Sequence, residues 1–440
     1  MEKYLSAVAE QIRCKIARPY VEKELRDHIE DQVEYNISKG MEHEEAVKAA
    51  VREMGDPVET GISLDRIHRP KPAWGVIALM AVITIAAMSL QLSLASTPYI
   101  LRGVLIQYLF GFVIMLICYF VDYTVVARYA KHIAVLLMFM CVYCRLFGLS
   151  INGIVGWIRV FGVMISIKSI MLLYIPVFAG VLYKYRNTGI GGIIKSVIWM
   201  VIPSLYIIRY VPALSFGVIM AVSMLSLITF AIIKGWFTVP KRTTIVALWG
   251  VIVGIPIVVA AIRLWSGITP AYIQARLLYW LFPGQYIGYN NTTILREAIR
   301  STRAIGSSEM NLVEKLSGYN SDYIFAYISS TYGLLVGILV LSLLVFLVVS
   351  ILGISLKQKN QLGMMMGVGV GTVLMINTVL NILVAIGLFP DTSTFLPLFS
   401  SGSSNILITY ALIGIILSIY KYKSIYPKFV DVSLPNKALF

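Results

Sequence analysis

The stretch Gly318-Tyr-Asn-Ser-Asp322-Tyr-Ile-Phe-Ala326 decides how the chain is read. It closes a hydrophilic segment running from Arg263 to Phe325, the one long polar interval after residue 72, and leads into an apolar run. An ionisable side chain at the mouth of such a run is costly beside lipid and marks a candidate functional site. Partial desolvation of Asp322 there would raise its pKa and suit it to proton abstraction. The competing reading is local: Ser321 or Asp322 caps the helix that follows, with a side-chain oxygen on its orphan amides. Spacing alone leaves both open.

Working outward, 58% hydrophobic content with 13% charge over 440 residues excludes an ordinary soluble domain. The charge is split. Residues 1–71 hold fifteen acids and twelve basic residues, a net of −3, while the remainder holds seven acids and twenty-five bases, a net of +18. A small charged domain is therefore joined to a large basic membrane domain. The opening is a charged helical pattern rather than an apolar core, so no cleavable signal peptide is expected.

Residues 1–71 read as a short helical bundle, with Leu5, Val8, Ile12 and Ile16 at helical spacing and Gly40 and Gly55 as stops. Beyond it, ten stretches reach the roughly 20 apolar residues a span needs: about 73–96, 104–122, 133–150, 161–183, 192–209, 213–233, 244–263, 323–352, 363–388 and 403–420. With the amino terminus inside, the cytoplasmic connections carry Arg128, Lys131, Lys184, Arg186, Lys195, Lys234, Lys241, Arg242, Lys357 and Lys359, and the tail adds Lys421, Lys423 and Lys428. The short external connections carry only Arg102, Arg159 and Arg209. That asymmetry predicts an all-α protein of about ten transmembrane helices with both termini cytoplasmic, a tail over 429–440, and the segment 264–321 outside. No nucleic-acid partner is expected, because the basic residues follow the membrane topology.

Within the long segment, Tyr272, Ile273, Leu277, Leu278, Trp280 and Leu281 suggest an interfacial helix with an aromatic edge. A second short helix carries Arg296, Arg300 and Arg303 at i, i+4 and i+7, on one face. Such a face could grip a pyrophosphate bidentately or make non-specific contact with anionic lipid. The topology leaves five acids outside: Glu297, Glu309, Glu314, Asp322 and Asp391. Arg145, Lys168 and Arg209 lie near the outer ends of spans, where they either snorkel or face a polar cavity. Cys141 and Cys144 form a C-x-x-C in an apolar helix and read as packing residues. No Walker loop, dinucleotide fingerprint, metal cluster or Ser-His-Asp set stands in the chain. The loop Gly387-Leu-Phe-Pro390 through Ser404 reads as re-entrant, lining a cavity.

Two resemblances follow. Lys39-Gly-Met-Glu-His-Glu-Glu-Ala-Val47, Met54-Gly-Asp-Pro-Val-Glu59 and Leu64-Asp-Arg-Ile-His-Arg-Pro-Lys71 resemble the permease prefix domain of bacterial membrane proteins, which implies a cytoplasmic module. Ser321-Asp322-Tyr-Ile-Phe-Ala326, Gly333-Leu334, Ala304-Ile-Gly-Ser307, Gly387-Leu-Phe-Pro390 with Leu396-Pro-Leu-Phe-Ser400, Gly402 and Ser404, and Trp157 after Gly153 and Gly156 resemble motifs of the SEDS family (shape, elongation, division and sporulation; FtsW/RodA/SpoVE). The chain departs from that family at Ser330-Thr331, where an acidic pair is usual, at Ser166-Ile-Lys-Ser169, at Pro212-Ala-Leu-Ser-Phe216 and at Ser308-Glu309.

The resemblance implies a peptidoglycan glycosyltransferase of the bacterial cytoplasmic membrane that polymerises lipid II. Asp322 would be its catalytic base, and Trp157, Lys168, Arg296, Arg300, Arg303, Ser400 and Ser404 its substrate-binding residues. The implied partners are the undecaprenyl pyrophosphate-linked substrate, membrane lipids and a penicillin-binding transpeptidase. No cofactor is required; a divalent cation could assist at the phosphates, though no ligand cluster marks a place for one. The alternatives are a non-catalytic envelope scaffold and a transporter of lipid-linked precursor.

Overall fold

The computed structural model describes residues 1–151, 153–160, 163–211, 213–269, 271–282 and 291–430. Pro212 and residues 431–440 of the expected tail lie outside these, as does the Tyr272 side chain. Four helices open the chain: α1 (Glu2–Gln11), α2 (Arg18–Ser38), α3 (His43–Glu53) and α4 (Pro57–His68). Leu5, Val8 and Ile12 of the first helical repeat are buried, as are Val21 and Ile29 of α2 and Ala46 and Ala50 of α3; α1 packs on α4 and α2, and α3 packs on α2. The stretch after Gly55-Asp-Pro is a full helix, because Asp56 caps it through the amides of Val58 and Glu59 and Pro57 sits at its first position. Asp65 on α4 is buried, accepting from the amide of Arg13 at 2.9 Å and from Arg69 at 2.7 Å.

These contacts hold the Asp65 carboxyl below its ordinary pKa, chiefly through Arg69. A depressed carboxylate contributes stability above its unfolded pKa of ~3.9, and that stability is lost as pH falls through the folded value. Residues 1–71, which include Arg69, are expected to be soluble and helical by circular dichroism when expressed alone. They should lose helicity below about pH 4, and Asp65→Asn should remove part of that acid loss at the cost of lower stability at pH 7. A disordered spectrum at pH 7 would show that these helices need the rest of the chain.

The membrane part contains α5 (Trp74–Ser93), α6 (Pro98–Phe120), α7 (Tyr123–Arg128), α8 (Ala130–Phe147), α9 (Ile167–Tyr183), α10 (Ile190–Tyr210), α11 (Leu214–Ile233) and α12 (Lys241–Trp265). After α12 come α13 (Ala271–Leu281), α14 (Asn291–Arg300), α15 (Leu312–Lys315), α16 (Ile324–Tyr332), α17 (Leu334–Leu356), α18 (Gln361–Ala385) and α19 (Ser403–Lys421). Among the described residues, nine helices are long and apolar enough to cross a membrane, and the shorter apolar α9 takes the place of the expected fourth span. The centre is α18 and α19, the most buried of the nine; α12 has no buried residue. Small residues let backbones close up there: a Cβ on Gly111 would sit 2.3 Å from the Tyr410 ring, and one on Gly414 2.6 Å from the Met115 carbonyl.

Two expected spans differ. The run 161–183 does not start as a helix. Three strands, β1 (Leu149–Ile151), β2 (Ile154–Val160) and β3 (Val163–Ser166), form an antiparallel sheet, with Trp157 opposite Ser166. Its β-branched residues and Gly153 at φ +78° favour a strand hairpin over a helix. The run 323–352 is broken at Gly333 into α16 and α17. Around the break, Leu334 and Leu335 donate to the carbonyls of Arg303 and Ala304, and Gly306 to that of Tyr332. The Ala304-Ile-Gly306 stretch thus satisfies backbone groups that the break leaves open.

Candidate active site

Asp322 lies in a turn over 319–323, ahead of α16 and outside the membrane-crossing helices. It does not cap. The residue before α16 is Tyr323, and no side chain accepts from that helix's first amides. The turn is instead held by its backbone carbonyls: Asn381 of α18 donates to Asp322 at 2.7 Å, Ser400 to Ser321 at 2.7 Å, and the Ser401 amide to Asn320 at 2.8 Å. Gln91 of α5 donates to the Asn320 and Phe399 carbonyls. The carboxylate is therefore left to side chains.

Ser393 stands beside the Asp322 carboxylate, and the Lys168 Nζ donates to the Ser393 hydroxyl at 3.1 Å. Lys168, on the first turn of α9, lies 4.8 Å from the ring centre of Phe216, and Ser215 donates to the Ser393 carbonyl at 2.6 Å. Burial pushes the Asp322 carboxyl above its ordinary range; Lys168 and Ser393 pull it back, and nearby Asp391 raises it further. Glu297, Glu309 and Glu314, the other acids on this side, are exposed.

A cavity of about 280 Å³ adjoins this group, lined by Trp157, Ser166, Lys168, Arg276, Thr392 and Ser393 among others. Asp322 does not line it; the Lys168–Ser393 pair connects the two. Larger cavities open at the far ends of α17 and α19 and hold none of these residues. Arg276 of α13 escaped the sequence reading, which took that helix as an aromatic-edged surface element; a lone arginine within it was the available signal. Also missed was a triad behind Asp322. Tyr323 donates to Asp391 at 2.5 Å, and Asn291 at the start of α14 donates to both Asp391 and the Tyr323 hydroxyl at 3.0 Å.

The arginine face does not form. Helix α14 ends at Arg300, so Arg303 lies beyond it and pairs with Glu309 at 3.1 Å, while Arg300 is exposed. Arg296 turns inward, donating to the Gly387 carbonyl at 2.8 Å and the Trp280 carbonyl at 3.1 Å. It ties the long segment to the last loop, and a Cβ on Gly387, at φ +73°, would sit 2.4 Å from it. Ser400 and Ser404 are braces: Ser400 accepts from the Leu396 amide at 2.7 Å, and Ser404 accepts from the Ser166 amide at 2.6 Å. Trp157 and Lys168 are therefore the expected binding residues that share the cavity.

The donor set does not suit a divalent cation. Both Asp391 oxygens accept hydrogen bonds, an ammonium stands beside Asp322, and no group of three or more metal-binding side chains occurs among the described residues.

Residues 71–425 match the FtsW/RodA/SpoVE family, described as "Cell cycle protein". A segment of 99 residues is 40% identical to a probable peptidoglycan glycosyltransferase FtsW of Enterococcus hirae, covering 22% of this chain and only 25% of that relative. Over 380 residues the chain is 22% identical to the peptidoglycan glycosyltransferase MrdB of Escherichia coli K12, covering 83% of this chain and 97% of that one. Among solved structures, a chain of a peptidoglycan synthase complex superposes with a TM-score of 0.66 at 18% identity, covering 80% of this chain and 99% of that one, a likeness of fold. With the fold shared and the family match running from the first span to the last, the chain belongs to the FtsW/RodA/SpoVE family of membrane proteins.

Proposed function

We propose that the chain is a peptidoglycan glycosyltransferase polymerising lipid II, with Asp322 as general base. The observation that carries the reading is the Asp322 carboxylate itself: released from capping, half-buried, and joined through Ser393 and Lys168 to a cavity walled by Trp157 and Arg276. Asp322 takes the proton of the acceptor sugar hydroxyl as its oxygen attacks the anomeric carbon of the donor. The bond from that carbon to the pyrophosphate oxygen breaks, and its electron pair leaves with the undecaprenyl pyrophosphate. Lys168 and Arg276 offset the growing charge, and Trp157 offers a face for a sugar. Burial supports the assignment, because a base with a raised pKa abstracts protons more effectively near neutrality. A penicillin-binding transpeptidase is the proposed partner, by analogy with the synthase complex of the same fold.

Ser330 and Thr331, where the family pattern is acidic, favour a second reading as a non-catalytic envelope scaffold. Polymerisation of labelled lipid II by the purified chain, alone and with a transpeptidase, separates the two. Glycan strands support the enzyme; their absence with every partner tried favours the scaffold.

The proposed setting is the bacterial cytoplasmic membrane, with both termini cytoplasmic and the Asp322 side external. Single cysteines at Lys315 and Lys359, with the native cysteines removed, test it. An impermeant thiol reagent should label the first and not the second on intact cells; the reverse pattern would invert the topology.

A further inference from the structure

An apolar groove lies far from Asp322, on the side of the termini. It runs between the start of α5 and the ends of α17 and α19, with a volume of about 700 Å³. Trp74, Phe346 and Ile354 give it an apolar floor, and Lys357, Lys359 and Lys423 rim it; no carboxylate lines it. Trp74 is 72% exposed, as suits an aromatic at the level of headgroups. Gln358 also lines the groove and is 6% exposed; its amide donates to the Ile419 carbonyl at 3.4 Å, and its Oε1 has no donor.

We propose that this groove binds one anionic glycerophospholipid from the leaflet on that side. An acyl chain lies along Phe346 and Ile354, and the phosphate sits among the three lysines. Charge complementarity chooses the occupant. Lys359 also borders the neighbouring cavity that holds Glu24, Asp27 and Asp31, but none of the three lysines forms an ion pair among the described residues. Three such cations would repel a cationic segment and gain little from a zwitterion, while an apolar floor has no use for a free anion. Each lysine near an anionic surface contributes roughly fivefold in affinity.

The test uses the full chain, purified in mild detergent, stripped of lipid and titrated with phosphatidylglycerol or phosphatidylcholine while native mass spectrometry counts retained lipid. One phosphatidylglycerol should be held selectively. Lys357→Gln/Lys359→Gln/Lys423→Gln should weaken it by on the order of 100-fold without lowering the melting temperature. Gly353→Leu is the second variant. A Cβ there meets nothing within 4 Å, so leucine fills the apolar floor and keeps every charge; it too should lose the lipid. Equal retention of phosphatidylcholine, displacement by inorganic phosphate, or undiminished phosphatidylglycerol binding in Gly353→Leu would each overturn the proposal.

Discussion

Asp322→Asn is expected to abolish glycan polymerisation while leaving the protein folded. General-base assistance is typically worth ~10²–10⁴ in rate, so strand formation from labelled lipid II should fall by that factor. Abundance and melting temperature should stay near wild type, for three reasons. Asn keeps the size of the side chain, the turn is pinned through its backbone carbonyls, and no helix depends on the carboxylate for a cap. The amide still offers Ser393 an oxygen and cannot take a proton. The pH profile carries a second signature. A base works deprotonated, and the Asp322 pKa is raised by burial, so the acid limb of activity should lie above the ordinary carboxylate range. Lys168→Met removes the strongest influence holding that pKa down and should move the limb further toward neutrality. Full activity in Asp322→Asn at normal abundance would remove the catalytic assignment.

Gly333→Ala should be strongly destabilising. The residue has φ +103° and ψ 159°, a region essentially confined to glycine. Its Cβ would lie 2.7 Å from the Ala304 carbonyl oxygen and 2.7 Å from the Ile305 Cα, backbone atoms that no rotamer change relieves. Backbone strain of about 1–3 kcal/mol with overpacking of about 1–3 kcal/mol is a large share of the ~5–15 kcal/mol that holds a typical domain. A depressed melting temperature in detergent and a fall in abundance are expected. Gly103→Ala, in α6 with nothing within 4 Å, is the control and should be neutral or slightly stabilising. Wild-type melting of Gly333→Ala would mean the α16–α17 junction is free to rebuild.

The spans were legible because hydropathy is a one-dimensional property, summed over neighbours along the chain. Asp322 was legible for the same reason, as a polar residue at an apolar boundary. Gly333 was not, since nothing in the run 323–352 looks interrupted; the break is enforced by Ala304 to Gly306, far back in sequence. The strand Val163–Ser166 was misread because β-branched residues feed a hydropathy window as well as they feed a strand. The arginine face failed for a tertiary reason. Helical spacing set Arg296, Arg300 and Arg303 in line, but the Gly387 carbonyl claims the first and Glu309 the last. Arg276 and the Asn291–Tyr323–Asp391 triad come from positions up to a hundred residues apart, which no local pattern connects.

The short segment 391–404 touches almost every part of the site. Asp391 anchors Tyr323, Ser393 receives Lys168, Ser400 and Ser401 hold the Asp322 turn, and Ser404 accepts from the β3 strand at Ser166. A chain is made from its amino end, and its parts fold as they emerge. Lys168, Arg276 and Asp322 are thus made before the segment that joins them exists. The centre closes only when synthesis has passed Ser404, and α19 must then insert beside α6 and α18 to keep it closed. A nascent chain halted before Ser393 carries Lys168 and Asp322 without the residue that stands between them.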